Sequence, residues 1–133
     1  MAERIPKIDR SVFANLASLS GSNNSFLIDL ISNFNTDAEN DIRGMESSVA
    51  GRDWDAFRDY AHALKGGALY LGLARLAELS ANAQHIEKAE FENNGITHIL
   101  NIRQAADDAL SELEIINSDL LKCEADRDQL VTR

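Results

Sequence analysis

The chain has 133 residues, of which 44% are hydrophobic and 26% charged, and its formal net charge is −9. This length and balance suit one folded domain over residues 1–133 rather than a disordered chain. The acidic excess argues against nucleic acid as a partner, because phosphates would be repelled over most of the surface. One cysteine is too few for a disulfide framework or a multi-cysteine zinc site.

The first residues lack the apolar segment of a signal peptide, and no run of about 18 apolar residues occurs that could span a membrane. We therefore expect a cytoplasmic protein, or a cytoplasmic piece of a larger one, with no membrane insertion. One proline and seven glycines are few for the many turns of a β-rich fold, so the composition favours long helices.

Apolar residues spaced three and four apart predict five helices in succession. A short helix over residues 9–21 is followed by a long one over residues 22–51 and by a third over residues 53–72. Aspartates stand at the start of the first and third, and glycines end all three. The fourth runs from 73 to 91 and ends in an Asn-Asn-Gly sequence. The fifth has the most regular stripe, formed by Ile99, Ile102, Ala106, Ala109, Leu113, Ile116, Leu120 and Cys123.

Short connections at residues 50–53, 71–73 and 92–96 make sequential helices antiparallel. The expected fold is all-α: an antiparallel up-down four-helix bundle with an additional short N-terminal helix. The stripe of the last helix could instead form the seam of a coiled-coil dimer. We expect core packing and a monomer, because the other helices need a partner for their own apolar faces. Cys123 is then a core residue.

The third predicted helix contains one stretch that departs from helix propensity, Ala61-His62-Ala63-Leu64-Lys65-Gly66-Gly67-Ala68. Each of the two adjacent glycines costs about 1 kcal/mol relative to alanine in a helix interior. At about 100° per residue, His62 points away from the apolar stripe and is exposed or half exposed. Lys65 follows at i+3 and Gly66, which has no side chain, at i+4. The apolar stripe itself consists of Phe57, Ala61, Leu64, Ala68 and Leu71.

These surroundings suit a histidine that accepts a phosphoryl group. A neutral imidazole offers a nucleophilic nitrogen near neutral pH. Gly66 leaves room beside it, and Lys65 can offset the charge of roughly −2 that a phosphoryl group brings. The plainer alternative is a surface histidine beside glycines that allow close helix packing, which is the commoner arrangement for an arbitrary helical histidine.

Residues 61–72 closely resemble the motif of the histidine phosphotransfer (Hpt) family, H-x-L-K-G-[SGA] followed by a small residue and then L-G. The Gly-Gly-Ala variant also resembles the phosphoacceptor domain of chemotaxis kinases. A weaker resemblance continues into the fourth predicted helix, through Leu76, Leu79, Ser80, Ala83 and Gln84.

The resemblance implies that His62 is phosphorylated on Nε2, that Lys65 contacts the phosphoryl oxygens and that Gly66 opens access. It also implies that a polar residue of the fourth helix orients the imidazole. Gln84 is the candidate for that role, and Lys88, one turn further on, is a candidate second cation. The alternative interpretation is that Gln84 and Lys88 are both ordinary solvated residues of a helix.

Partners and cofactors also follow from the resemblance. A response-regulator receiver domain would supply the reacting aspartate and Mg²⁺, so we expect neither an intrinsic cofactor nor a metal site, and a carrier rather than an enzyme. Arg58 and Leu69 are candidate docking contacts beside the histidine. Residues 52–90 carry five basic and six acidic side chains, so this region repels an acidic receiver least.

Other candidate sites fail on spacing. Residues 37–41 begin like an EF-hand loop, but Ile42 and Ser48 stand where Gly and Glu are required, which indicates a solvated helix face. His85 and His98 lack the lysine and glycine that surround His62 and are interpreted as ordinary residues.

The expected function is therefore phosphotransfer in a two-component multistep phosphorelay. His62 would accept a phosphoryl group from one receiver aspartate and pass it to another, with a hybrid sensor histidine kinase as a further partner. Two alternatives stay open: a helical adaptor that binds without phosphotransfer, and a chemotaxis-kinase-type domain labelled by an ATP-binding kinase domain.

Overall fold

In a computed structural model of the chain, the described residues are 9, 11–12, 14–15, 18 and 25–131, with side chains described as far as residue 115. Within residues 25–131 the chain forms helices and no strand. The helices are α1 (Ser25–Ala50), α2 (Trp54–Tyr70), α3 (Ala74–Gln84) and α4 (Lys88–Val131), which correspond to the second to fifth predicted helices. None of the described helices is long and apolar enough to cross a membrane.

The four helices form an up-down bundle in which each one packs against two others. The neighbours of α2 are α1 and α3, and the same two helices flank α4. The predicted stripe of α2 is entirely buried, and so are Ile99, Ile102, Ala106, Ala109 and Leu113 of α4. The rest of the α4 stripe, Cys123 included, lies beyond the described side chains. The prediction of an all-α bundle is confirmed for the described part of the chain.

The predicted N-terminal helix lies largely outside the described residues. Asp9 is described: its carboxylate accepts hydrogen bonds from the backbone and hydroxyl of Ser11. Its backbone N–H donates to the carbonyl of Gly72, at the turn between α2 and α3. The start of the described chain is therefore tied to the end of the helix that carries His62.

Tight turns bound α2 at both ends. At its start, Asp53 caps the helix by accepting a hydrogen bond from the backbone N–H of Ala56 at 3.0 Å, as predicted. Arg52, just before the cap, has a φ of 56°. At the other end Gly72 has a φ of 75°, a conformation that suits glycine because it has no Cβ. The buried stripe between these turns fixes which face of α2 is exposed.

The connection between the last two helices lies earlier than predicted, and the predicted connection coincides with a kink. The fourth predicted helix, 73–91, ends at Gln84 as α3, and the connection lies at residues 85–87 rather than at 92–96. The Asn-Asn-Gly sequence lies inside α4, where Asn94 has a non-helical φ of −133° and marks a kink. Gly95 follows it and is buried: a Cβ there would lie 3.1 Å from Val49 Cγ2. This glycine therefore allows α4 to approach α1 directly after the kink.

Side chains on both sides of the kink are joined. Asn94 Nδ2 donates to Glu90 Oε1 at 2.8 Å, and His98 Nε2 lies 2.9 Å from Glu90 Oε2. These hydrogen bonds lower the pKa of Glu90 below its usual value. His98 is thus a structural residue of α4.

Ion pairs hold α4 on α1. Arg103 donates to Glu39 at 3.0 Å and to Glu46 at 2.8 Å. The hydrogen bond from Arg103, and after it the one from Arg43, lowers the pKa of Glu39. The predicted solvated face of residues 37–41 therefore includes a carboxylate that joins two helices. The bundle presents α2 and α3 as the pair that carries the candidate site.

Candidate functional site

His62 lies in the middle of α2 with its side chain exposed, between the buried residues Ala61 and Leu64. This is the orientation that the helical periodicity predicted. Arg58 and Lys65, one turn before and after it, lie towards α3, while Gly66 lies on the other side, towards α1. The imidazole therefore has cations on one side and a residue without a side chain on the other.

The two adjacent glycines have different surroundings. A Cβ built on Gly67 would lie 3.2 Å from Phe34 Cδ1 of α1, so this glycine allows close packing of two helices. A Cβ on Gly66 would meet nothing within 4 Å. The plainer interpretation, glycines tolerated for close packing, thus holds for Gly67 alone. Nothing in the described surroundings of Gly66 requires a glycine, and the space beside His62 is open to a partner.

Lys65 is half-buried and contacts the candidate residue of α3. Its Nζ donates a hydrogen bond to Gln84 Oε1 at 3.3 Å. The structure therefore brings Lys65 and Gln84 together next to His62, from sequence positions 19 residues apart. The acceptor oxygen of Gln84 is bonded to Lys65 here, and its expected bond to the imidazole stays a prediction.

Two further side chains of α2 bind the end of α3 and the residues that follow it. Arg58 Nε donates to the backbone carbonyl of Gln84 at 2.9 Å, and Trp54 Nε1 donates to the carbonyl of Ile86 at 2.9 Å. The guanidinium of Arg58 also lies over the Trp54 ring, 4.8 Å from its centroid. Arg58 is therefore engaged within the protein as well as being a candidate docking contact.

Sequence reasoning did not find Trp54. It is the one tryptophan of the chain and it directly follows the capping residue of α2, but no local pattern indicates that its indole reaches the end of the next helix. The bond becomes visible only when α2 and α3 are placed side by side.

The candidate docking residues lie in different places. Leu69 is 55% exposed and shares the face of His62, and Tyr70 beside it is 56% exposed. Tyr70 was not singled out from the sequence. Lys88 is exposed, but it is the first residue of α4 and lies beyond the break after Gln84. It is therefore not one turn further along the same helix, as had been predicted.

A groove with a volume of about 480 Å³ lies between the packed helices α1 and α2, on the glycine side of His62. Its lining includes Phe34, Asp41, Ala63, Gly67 and Tyr70. Burial, with a smaller contribution from the neighbouring charge of Asp37, raises the pKa of Asp41 to about 6. The described residues contain no group of three or more His, Cys, Asp or Glu side chains arranged to hold a metal ion.

Comparisons with known proteins agree with this geometry. No curated protein sequence matches the chain. Among solved structures, the crystal structure of histidine-containing phosphotransfer protein B (HptB) from Pseudomonas aeruginosa PAO1 is similar, with a TM-score of 0.76 and 19% sequence identity over 86% of this chain and 96% of that one. At this identity the likeness is one of fold. The family model of the Hpt domain matches residues 29–115, well over half of the chain. The chain therefore belongs to the Hpt domain family, the histidine phosphotransfer modules of two-component phosphorelays.

Proposed function

We propose that His62 is the phosphoacceptor of this Hpt domain, accepting a phosphoryl group from a receiver-domain aspartate and passing it to a second receiver. The observation that carries the proposal is the exposed imidazole at the histidine of the family motif, beside a glycine whose side-chain position is open space. Lys65 is the phosphoryl-oxygen contact, and Gly66 provides access.

The chemistry requires little from the carrier itself. The lone pair of His62 Nε2 attacks the phosphorus of the aspartyl phosphate, an N–P bond forms, and the acyl O–P bond breaks to release the aspartate carboxylate. The proton on Nδ1 stays on the ring. Lys65 offsets part of the charge of roughly −2 that arrives with the phosphoryl group. Transfer to the second receiver reverses these steps.

The partner contributes the remaining groups. We expect the receiver domain to supply the aspartate and the Mg²⁺ that neutralises charge during transfer. Its contacts would include Leu69, Arg58 and Lys88, around the histidine face. We place the exchange in the cytoplasm and expect the carrier to act as a monomer.

The test is phosphoryl transfer from a phosphorylated receiver with Mg²⁺, followed by intact mass and acid lability. Wild type should gain one acid-labile, alkali-stable phosphate. His62→Gln should gain none while keeping its helicity and melting temperature, because the side chain points off the core. The matched control, His98→Gln, changes a histidine that pairs with Glu90 in α4 and should be labelled like wild type.

The remaining outcomes separate the alternatives. Labelling by an ATP-binding kinase domain but by no receiver would favour the chemotaxis-kinase type. A folded protein that neither source labels would contradict the proposal and favour an adaptor that binds without phosphotransfer.

A further inference from the structure

Gln84 is held at both its backbone and its side chain by residues of α2. Its carbonyl accepts from Arg58, its amide oxygen accepts from Lys65, and two residues later the carbonyl of Ile86 accepts from Trp54. The last carbonyls of a helix have no partner within it, so outside donors decide where that end lies. The carbonyls of Ala81 and Ala83 accept from the backbone just after α3. Gln84, the last residue of α3, accepts instead from Arg58 of α2, which ties the end of α3 to the helix of His62.

The two cations that flank His62 both bind this end of α3. A helix C-terminus carries a partial negative charge, so Arg58 and Lys65 are stabilised where they lie. A lysine side chain has four flexible carbons and samples many positions unless its ammonium is bound. The Gln84 oxygen restricts Lys65 to the side of His62 and uses one of its three N–H donors. Two donors remain for phosphoryl oxygens.

We propose that Gln84 acts on phosphotransfer through Lys65 rather than on the imidazole, and that Trp54 and Arg58 are positioning residues that fix Gln84. The inference rests on His62 being the phosphoacceptor. Gln84 holds the ammonium of Lys65 where the phosphoryl charge arrives, so that less side-chain freedom is lost when the phosphoryl group binds.

The observed partner of the Gln84 amide oxygen favours this role. A nucleophilic Nε2 requires that the imidazole proton be on Nδ1, which then needs a hydrogen-bond acceptor. The amide oxygen of Gln84 can accept two hydrogen bonds. In the described structure the side-chain donor that reaches it is Lys65 Nζ, and no hydrogen bond joins it to His62. The NH₂ group of Gln84 can only donate and cannot orient that tautomer.

A double-mutant cycle tests the proposal. The rate of transfer from a phosphorylated receiver is measured for wild type, Gln84→Met, Lys65→Met and the double variant. Methionine keeps the length of glutamine but lacks the amide oxygen. We expect Gln84→Met to slow transfer about tenfold, in line with the loss of a charge-assisted hydrogen bond. In the Lys65→Met background, Gln84→Met should not slow transfer further, because the ammonium that Gln84 positions is already absent. If the loss of rate in the double variant equals the product of the two single losses, the two residues act independently and the proposal is overturned.

Two more variants probe the positioning residues. Trp54→Phe keeps a ring under Arg58 but removes the donor to Ile86, so it should slow transfer in wild type and not in the Lys65→Met background. Gln84→Glu keeps an acceptor for Lys65 and should restore transfer relative to Gln84→Met. A Trp54→Phe effect of equal size in both backgrounds would show a role that does not pass through Lys65.

A second readout needs no phosphorylation. The hydrogen-bonded ammonium of Lys65 should exchange its protons with water slowly, as followed by ¹⁵N NMR, and Gln84→Met should speed this exchange without changing the His62 tautomer. The control, Gln104→Met, alters another helical glutamine, which is bonded to Asp108 in α4. It should change neither the Lys65 proton exchange nor the His62 tautomer. A shift of the tautomer with unchanged Lys65 exchange would overturn the inference. Absence of labelling in wild type, with the Lys65 exchange as expected, would contradict the proposed function instead.

Discussion

Replacing Gly66 by alanine should make the protein more stable and a poorer phosphoacceptor. The new methyl group would meet nothing within 4 Å, so no packing penalty opposes the change. Alanine is favoured over glycine in a helix interior by about 1 kcal/mol. For a domain of this size, that gain corresponds to a rise in melting temperature of about 3–5 °C. The same methyl group occupies the space beside His62, so transfer from a receiver should slow at least about tenfold.

Gly67→Ala is the matched control, one residue further along α2. It has the same gain in helix propensity, but its methyl group would lie 3.2 Å from the Phe34 ring. The stabilisation should therefore be smaller or reversed, and the transfer rate should change little. Thermal unfolding and receiver transfer are measured on both variants. A Gly66→Ala protein that transfers at the wild-type rate would refute the access role of Gly66. One that melts at a lower temperature than wild type would refute the statement that a methyl group fits there without a clash.

Other predictions concern stability. Because burial raises the pKa of Asp41 to about 6, its contribution to stability is full below about pH 4 and is lost as pH rises through 6. Asp41→Asn should therefore raise the free energy of unfolding, measured by urea denaturation, by about 1 kcal/mol at pH 7 and hardly at pH 4. An equal increase at both pH values would contradict the raised pKa of Asp41. Arg103→Met should lower the free energy of unfolding by about 1 kcal/mol, because it removes the hydrogen bonds to two glutamates of α1, and by less in about 1 M salt. A decrease of the same size at both salt concentrations would show that the arginine stabilises by packing instead. Ser80 is fully buried with its hydroxyl unpaired in the described structure, so Ser80→Ala should stabilise by about 1 kcal/mol in the same assay, and destabilisation would show that the hydroxyl has a partner.

Local patterns predicted the helix that carries the site. The cap at Asp53, the buried stripe and the exposure of His62 all follow from residue types within one or two turns of each other, and each was predicted correctly. Periodicity is reliable here because the apolar residues of α2 pack on two neighbouring helices, which leaves one face for solvent.

Long-range contacts explain what the sequence did not predict. The Asn-Asn-Gly sequence interrupts the helix with a kink at Asn94, and the chain continues as a helix because Gly95 packs on Val49. The end of α3 and the residues after it accept hydrogen bonds from Arg58 and Trp54, which are 26 and 32 residues from their acceptors. Likewise, the sequence assigned access to Gly66 from its place one turn after His62, but it could not predict that Gly67 packs on the Phe34 ring of α1.

The two tight turns that bound α2 leave it no place to absorb an extra residue. Asp53 fixes the start of the helix, and Gly72 is held at its end by the backbone of Asp9. One residue inserted between Asp53 and His62 would turn the rest of the helix by about 100° and shift it by about 1.5 Å. The buried stripe and the histidine face would then both be out of phase with their neighbours. The number of residues from Asp53 to Gly72 is therefore under a stricter constraint than the identity of most of them.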